Sequence, residues 1–331
     1  MIDAQKIRKS INEAASKKEP FLFAVDFELE QGIFIEKPLE QENIWFKIKD
    51  VSNINEIRSR ENKKDASLSY EAIGLDDYSK KFHMVRQALL GGDSFLCNLT
   101  IKTPIKCDLS LEEIFLNSKA PYCLMIPQQF VCFSPERFVK IEKGHIFSNP
   151  MKGTIDANIP HADAVLLANN KETAEHSTIV DLIRNDLSKV ANNVAVTRFK
   201  YLERIETNRG AILQMSSEIK GQLPENYLSN LGDIIFELLP AGSISGAPKE
   251  STLLIIKTAE KDKRGFYTGI FGYFDGEKLD TAVMIRFIEI CKKETEQQLY
   301  FRSGGGITAY SNLDEEYLEV LQKIYLPYSN G

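Results

Sequence analysis

The sequence predicts an α+β fold built on large antiparallel β-sheets. Predicted strands occur in runs rather than in strict alternation with helices, and short turns such as that at 275–278 join successive strands. The 331 residues are 43% hydrophobic, which is enough apolar material for a large core. No low-complexity tract or linker rich in Pro, Gly or Ser divides the chain. We therefore expect one domain over residues 1–331.

In the first part of the chain, apolar periodicity predicts two helices with strands between them. Residues 4–18 have the pattern of an amphipathic helix. Residues 76–93 carry apolar side chains near helical spacing and end in Gly91-Gly92, which is typical of a helix C-terminus. The polar stretch 50–72 is predicted to be irregular. Strands are predicted at 21–29, 32–36 and 44–49.

The rest of the chain is predicted to contain further runs of strands separated by helices. Ser110 opens a predicted helix over 110–118, and the chain closes with a helix over 312–327. Residues 160–189 form a long helical region, continuous or broken. Further helices are predicted at 230–239 and 247–261. Strands are predicted at 94–103, 122–127, 129–134, 137–148, 265–276, 279–293 and 298–305.

Composition excludes several classes of function. The net charge of −6 gives no basic face for nucleic acid. No segment approaches the roughly 20 apolar residues of a membrane span, and the N-terminus lacks the apolar core of a signal peptide. The five cysteines are scattered and never form C-x-x-C, as expected for free thiols in the cytoplasm. Zinc sites built from Cys and His are not expected, because none of the four histidines has the required spacing to a cysteine.

Two acidic pairs lie on predicted helices. Glu172 with Glu175, and Glu316 with Glu319, are each spaced i, i+3, which places two carboxylates on one helical face. From the pattern alone, solvated helix faces are the commoner interpretation. Alternatively, four carboxylates from two helices would suit Mg²⁺, which prefers oxygen ligands.

Glycine-rich turns and isolated basic residues are the other candidates. The stretch 240–249 (`PAGSISGAPK`) lacks the spacing of a phosphate-binding loop, and 302–308 (`RSGGGIT`) follows a strand without opening a helix. Each is either a tight turn or a place where backbone approaches a ligand closely. Lys152 lies at a bend between Pro150 and Gly153, and Arg286 interrupts an apolar strand. Taken alone, a structural ion pair is the favoured interpretation of Arg286.

Taken together, these segments resemble the chorismate-utilising enzymes. That family includes anthranilate synthase component I, aminodeoxychorismate synthase component I, isochorismate synthase and salicylate synthase. The resemblance runs from about Tyr78 to the C-terminus. It implies two large antiparallel sheets packed as a sandwich with helices outside, and a reduced N-terminal part over 1–77. The motifs are `FSPERF`, `NPMKGT`, `ETAEHSTIVDLIRNDL`, `GSISGAPK`, `RGFYTGIFGY`, `LDTAVMIRF`, `FRSGGGI` and `DEEYLE`.

Within the family, Lys152 makes the chain most similar to aminodeoxychorismate synthase component I. Anthranilate and salicylate synthases resemble P-x-A-G-T at this loop, whereas this chain has `PMKGT`. The resemblance implies that Lys152 adds to C2 of the chorismate ring while the C4 hydroxyl leaves, with Glu136 as general acid. Ammonia then attacks C4 and gives 4-amino-4-deoxychorismate, the precursor of 4-aminobenzoate and folate. Desolvation or a nearby cation must first make the lysine neutral.

The resemblance also implies how the rest of the site holds chorismate, which carries two carboxylates. Glu175 and Glu319 would bind Mg²⁺ directly, and Glu172 and Glu316 would assist through water. Arg286 and Tyr267 would bind the second carboxylate, and Ser243 would close the pocket. The pocket would be completed by the backbone N–H groups of Gly304, Gly305 and Gly306, and by Gly153 and Thr154 in the loop beside Lys152.

Some positions depart from the family pattern. Gln214 replaces a frequent histidine. Leu96 stands where the branch that activates water has lysine, which argues against water as the nucleophile. The chain has no counterpart of a tryptophan feedback site or of a glutaminase nucleophile, so a separate glutamine amidotransferase is expected to supply ammonia. The alternatives are an anthranilate synthase component I, or a catalytically silent homologue that binds chorismate or a glutaminase.

Overall fold

The computed structural model describes residues 1–54, 67–207, 210–293 and 296–327. Its α-helices are α1 (Ala4–Ser16), α2 (Leu75–Leu90), α3 (Leu111–Asn117), α4 (Ala162–Ala168), α5 (Asn170–Leu187), α6 (Leu231–Glu237), α7 (Gly242–Ser245), α8 (Lys249–Glu260) and α9 (Leu313–Gln322). Short 3₁₀ helices lie at Pro38–Glu40 and Tyr227–Asn230.

The strands occur throughout the chain and are mostly short. They are β1 (Ile2–Asp3), β2 (Phe21–Val25), β3 (Gln31–Glu36), β4 (Trp45–Ile48), β5 (Val51–Ser52), β6 (Leu68–Tyr70), β7 (Leu96–Cys107), β8 (Tyr122–Ile126), β9 (Phe130–Ser134), β10 (Arg137–Glu142), β11 (His145–Ser148), β12 (Met151–Asp156), β13 (Asn192–Thr207), β14 (Gly210–Gln222), β15 (Gly246–Ala247), β16 (Ile270–Phe274), β17 (Leu279–Val283), β18 (Phe287–Lys293) and β19 (Glu296–Ile307).

These strands form two antiparallel sheets, as predicted. In sheet A the order is β1-β3-β2-β16-β17-β10-β11-β14-β12, and β13 also pairs with β14. In sheet B the order is β15-β7-β19-β18-β9-β8-β4-β5, and β6 also pairs with β7. Strands from the first 70 residues therefore belong to both sheets.

The two sheets pack face to face with helices outside, which confirms the predicted sandwich. Leu22 and Phe271 of sheet A share one buried cluster with Phe46 and Leu124 of sheet B, so this cluster is the core between the sheets. On the outer face of sheet A, α1 and α6 pack against β2 and β16 in a second cluster. Helices α2, α8 and α9 cover β7, and α3 covers β8 and β9.

Two predicted strands are each divided in the structure. The predicted strand 137–148 is the antiparallel hairpin of β10 and β11. The apolar run 279–293 is not continuous, because β17 lies in sheet A and β18 lies in sheet B. The chain crosses between the sheets at Arg286, whose φ is +54°. Both halves contain buried apolar residues, so the hydrophobic pattern alone gives no sign of the crossover.

Most predicted helices are confirmed, with the expected end signals. Ser110 and Glu113 form a complete capping box at the start of α3. The long helical region is broken at Asn169, whose side chain caps α5. The hairpin of β13 and β14 was not predicted, since its exposed edge strand is polar. Of the stretch 50–72, residues 55–66 lie outside the described residues, and β5 and β6 flank them.

Two further features agree with the sequence. All five cysteines are free thiols. Among the described helices, none has the length and apolar character needed to cross a membrane.

Candidate functional site

A cavity of about 970 Å³ opens where β7, β19, β12, α5, α7 and α9 converge. A cavity of this size can hold a small ring compound and its polar partners. Ten of the fourteen predicted site residues line it. They are Glu136, Lys152, Glu175, Ser243, Tyr267, Arg286, Gly304, Gly305, Gly306 and Glu319.

Lys152 points into this cavity because strand β12 is irregular at that position. The pairing of β12 with β14 shifts register between Met151 and Thr154, and Gly153 has φ +80°. Such a bulge can redirect a side chain. As a result, Met151 and Lys152 both line the cavity although they are neighbours in a strand. The bend at Lys152 therefore aims its amine into the cavity.

The Lys152 amine forms an ion pair across the cavity wall. Its Nζ lies 2.7 Å from Glu175 Oε2 on α5, and the Lys152 side chain is 30% exposed. Burial lowers the pKa of Lys152, but the negative charges of Glu175, Glu319 and Glu172 outweigh burial and raise it above 10.5. Desolvation therefore does not make this lysine neutral, contrary to one of the two expected routes of activation.

Glu136 also lines the cavity, where a serine binds its carboxyl group. Ser243 Oγ donates a hydrogen bond of 2.8 Å to Glu136 Oε1. Burial raises the pKa of the Glu136 carboxyl, and this outweighs the Ser243 hydrogen bond and the positive charges of Arg286 and Lys323, which lower it. A carboxyl of raised pKa that faces a cavity can donate a proton near neutral pH.

Arg286 and Tyr267 lie in the wall near the point where the chain changes sheets. Arg286 Nε donates to Tyr325 Oη at 3.1 Å, and its guanidinium lies beside the same ring. Arg286 and Lys152 line the same cavity. Tyr267 is buried, and burial raises the pKa of its hydroxyl to about 12, so the hydroxyl keeps its proton. Both side chains are hydrogen-bond donors.

The three glycines continue strand β19 rather than forming a turn. They pair with Thr100, Leu99 and Asn98 of β7. The described pairing of β19 with β18 ends at Arg302, so beyond it the glycines adjoin the cavity on their other side. The tight turn is thus the wrong interpretation of this motif, and close approach of its backbone to a ligand stays a prediction. Arg302 itself forms a structural ion pair with Glu289.

Lys323 is a cavity residue that sequence reasoning missed. Its Nζ lies 2.7 Å from Glu319 Oε1 and donates to the Gly304 carbonyl at 2.6 Å. Burial lowers its pKa, and the nearby positive charges of Arg286 and Lys152 act in the same direction. The available signal was its i, i+4 spacing from Glu319, which places both side chains on one helical face.

A buried ion pair behind the cavity fixes two of its walls. Arg264 is 1% exposed and donates to both carboxylate oxygens of Glu260. Arg264 Nη1 donates to the Ile244 carbonyl at 2.9 Å, and Nη2, which also binds Glu260, donates to the Asn98 carbonyl at 2.7 Å. Because both carbonyls belong to cavity-lining residues, this arginine ties α7 to β7.

Glu175 and Glu319 form a donor set that fits Mg²⁺. Mg²⁺ is usually held by one or two carboxylates and takes its other ligands from water and substrate. A Cβ on Gly305 would lie 3.6 Å from Glu319 Oε1 and 3.5 Å from Glu316 Oε2, so the missing side chain leaves space beside these carboxylates. Within the described ranges, no three Asp, Glu, His or Cys side chains are close enough to hold a metal alone.

Four predicted residues do not line the cavity. Thr154 is exposed, and Gly153 packs toward Glu172 and Leu166, whereas Met151 and Lys152 line the cavity. The expectation that this pair lines the ring pocket is therefore wrong. Glu172 lies behind Gly153 rather than in the wall. Glu316 is buried and accepts a hydrogen bond from Ser311. Of the two departures, Leu96 lines the cavity and Gln214 does not.

Comparisons with known proteins agree on one family. The model of the chorismate binding enzymes matches residues 17–328. An uncharacterized PabA-like protein of Haemophilus influenzae is 50% identical over 319 residues, which are 96% of this chain and 94% of that protein. Aminodeoxychorismate synthase component 1 of Salmonella typhimurium is 34% identical over 264 residues, which are 75% of this chain but only 56% of that protein.

A solved structure gives the same result. Anthranilate synthase component I from Streptococcus pneumoniae superposes with a TM-score of 0.64 at 27% identity, covering 78% of this chain and 58% of that one. The fold is therefore shared, over this part of the chain, with an anthranilate synthase component I. The chain belongs to the chorismate-binding enzyme family.

Proposed function

We propose that this chain is an aminodeoxychorismate synthase component I, which converts chorismate and ammonia to 4-amino-4-deoxychorismate for 4-aminobenzoate and folate synthesis. The observation that carries the proposal is the placement of Lys152. Its side chain lines the same cavity as Glu136, and burial raises the pKa of the Glu136 carboxyl. A chorismate ring bound in this cavity could therefore reach both the nucleophile, Lys152, and the general acid, Glu136.

In the proposed reaction, Lys152 Nζ forms a bond to ring C2 as the bond between C4 and its hydroxyl oxygen breaks. Glu136 gives its proton to that hydroxyl, which leaves as water. Ammonia then bonds to C4, and the Lys152 amine is expelled from C2. Lys152 is protonated in its ion pair with Glu175, 2.7 Å away, so the amine must lose this proton before it attacks the ring.

The cavity also contains partners for the two carboxylates of chorismate. Arg286, Tyr267 and Lys323 are hydrogen-bond donors, and the glycine backbone of β19 lies beside them. Glu175 and Glu319 would hold Mg²⁺, which supplies positive charge for one substrate carboxylate. Leu96 places an apolar side chain in the wall at the position where the related water-activating enzymes have lysine. Ammonia would come from a separate glutamine amidotransferase.

Product analysis tests the proposal. We would incubate the protein with chorismate, Mg²⁺ and an ammonium salt and identify the product by mass spectrometry. The expected product retains the enolpyruvyl group, whereas an anthranilate synthase would release pyruvate. Lys152→Ala should abolish the amino product, and Lys140→Ala, on strand β10 of the same sheet and outside the cavity, should not. Release of pyruvate, or an unchanged rate with Lys152→Ala, would contradict the proposal.

A further inference from the structure

A second, much smaller cavity lies directly behind Glu136. It measures about 20 Å³ and shares Glu136, Pro150 and Ser243 with the large cavity. A volume of about 10–15 Å³ is enough for one water molecule, so this space suits a molecule the size of water or ammonia and excludes chorismate. We call it the back chamber. Its other walls include Ile183, Asp186 and Leu187 of α5, with Leu238, Ala241 and Gly242.

A carboxylate lies in the wall of the back chamber away from Glu136. Asp186 is 7% exposed, and its oxygens accept from Lys189 Nζ at 2.8 Å and lie 3.5 Å from Lys249 Nζ. The Lys189 side chain is 45% exposed, so this end of the chamber is close to solvent. Each lysine presents to Asp186 an ammonium group, which is chemically the same head group as ammonium itself.

The two ends of the chamber are joined by a short stretch of chain. A Cβ on Gly242 would lie 2.9 Å from Asp186 Oδ2, so this carboxylate packs directly on the α7 backbone. The next residue, Ser243, binds Glu136. Asp186 and Glu136 therefore both line the back chamber, Asp186 beside the exposed Lys189 and Glu136 at the boundary with the large cavity.

We propose that the back chamber is the route by which ammonia reaches the ring, with Asp186 binding ammonium at its outer end. This inference rests on the proposed function. With chorismate in the large cavity, a separate approach for the second substrate avoids passing the bound ring. The active site of a partner that supplies ammonia would then need to open onto the surface around Lys189 and Lys249.

Because Glu136 borders both cavities, ammonium in the back chamber can also replace the proton that Glu136 gives up in the reaction. Glu136 becomes a carboxylate when it gives its proton to the leaving hydroxyl. Ammonium arriving through the back chamber can return one proton to that carboxylate, which yields the carboxyl form of Glu136 and neutral ammonia. The neutral ammonia is the nucleophile for C4, and no other proton donor is required.

Steady-state kinetics with ammonium chloride tests the route. Asp186→Asn keeps the shape of the side chain and removes its charge. We expect the KM for ammonium to rise about tenfold, as for the loss of one charge-assisted hydrogen bond, with the KM for chorismate unchanged. Asp181→Asn is the matched control, since it removes an exposed carboxylate from the same helix that pairs with Arg184. It should change neither constant.

A second variant is expected to increase a relative rate, which a misfolded protein could not do. Ile183→Ala enlarges the back chamber, and we expect it to raise the rate with methylammonium relative to ammonium. Unchanged ammonium KM in Asp186→Asn together with an unchanged methylammonium ratio in Ile183→Ala would overturn the route. Failure of the proposed function looks different, because the unaltered protein would then form no amino product from ammonium at all.

Discussion

Replacement of Ser243 by alanine isolates the proton donor of the proposed reaction. Ser243 donates a 2.8 Å hydrogen bond to Glu136, and this bond lowers the pKa of the carboxyl against the effect of burial. Ser243→Ala removes the bond and leaves burial in place. The pKa of Glu136 should therefore rise further above its usual value.

The size of the effect follows from the hydrogen bond. A hydrogen bond to a charged group is worth about 1.5 kcal/mol or more, which is about a tenfold change in a proton-binding equilibrium. A general acid works in its protonated form, so activity falls as the pH rises through its pKa. A higher pKa moves that fall to higher pH. Ser243→Ala is thus expected to stay active further into the alkaline range, even if its maximal rate is lower.

The assay is the pH dependence of kcat/KM for chorismate at constant free ammonia, which reports the ionisations of the free enzyme. Ser243→Thr, which keeps a hydroxyl, is the control and should resemble the unaltered protein. An alkaline limb that stays in place in Ser243→Ala, or moves to lower pH, would refute the assignment of Glu136 as the acid held by Ser243.

Other substitutions test the remaining parts of the site. Arg264→Leu leaves Glu260 as an uncompensated buried charge, and urea unfolding should show a loss of about 3–5 kcal/mol; a loss below about 1 kcal/mol would show that the pair is not structural. Gly305→Ala introduces a methyl at ordinary contact distance from Glu319. The fold should tolerate it within about 0.5 kcal/mol, while kcat/KM for chorismate falls at least about tenfold; full activity would show that substrate does not approach this strand. A chelator should remove activity and Mg²⁺ restore it, and Glu319→Gln should raise the Mg²⁺ concentration needed for half-maximal activity; an unchanged requirement would exclude Glu319 as a ligand.

The sequence predicts individual helices and strands better than it predicts which strands pair with one another. Local signals gave α2, α3 and α9, because capping residues and apolar spacing act over a few residues. The division of 279–293 between two sheets depends on the other strands available to pair with each half. Nothing local at Arg286 indicates that change, and the positive φ there is imposed by the crossover.

The candidate site shows the same limit at the level of side chains. Motif resemblance identified Lys152, Glu136 and Ser243 separately, but not the hydrogen bond that joins the last two across 107 residues. It also placed Gly153 and Thr154 in the ring pocket, because spacing along a strand does not reveal a bulge. Lys323 was missed, although Glu319, four residues before it, was selected.

The ion pairs of the cavity link metal binding to substrate binding. Glu175 and Glu319, the carboxylates suited to Mg²⁺, are paired with Lys152 and Lys323. A cation that takes both carboxylates must break both pairs and leave two ammonium groups in a partly buried cavity, which is unfavourable by itself. Chorismate brings two carboxylates that can offset those charges. Metal and chorismate should therefore bind with positive coupling, and the same exchange would separate Lys152 from the carboxylate that keeps it protonated.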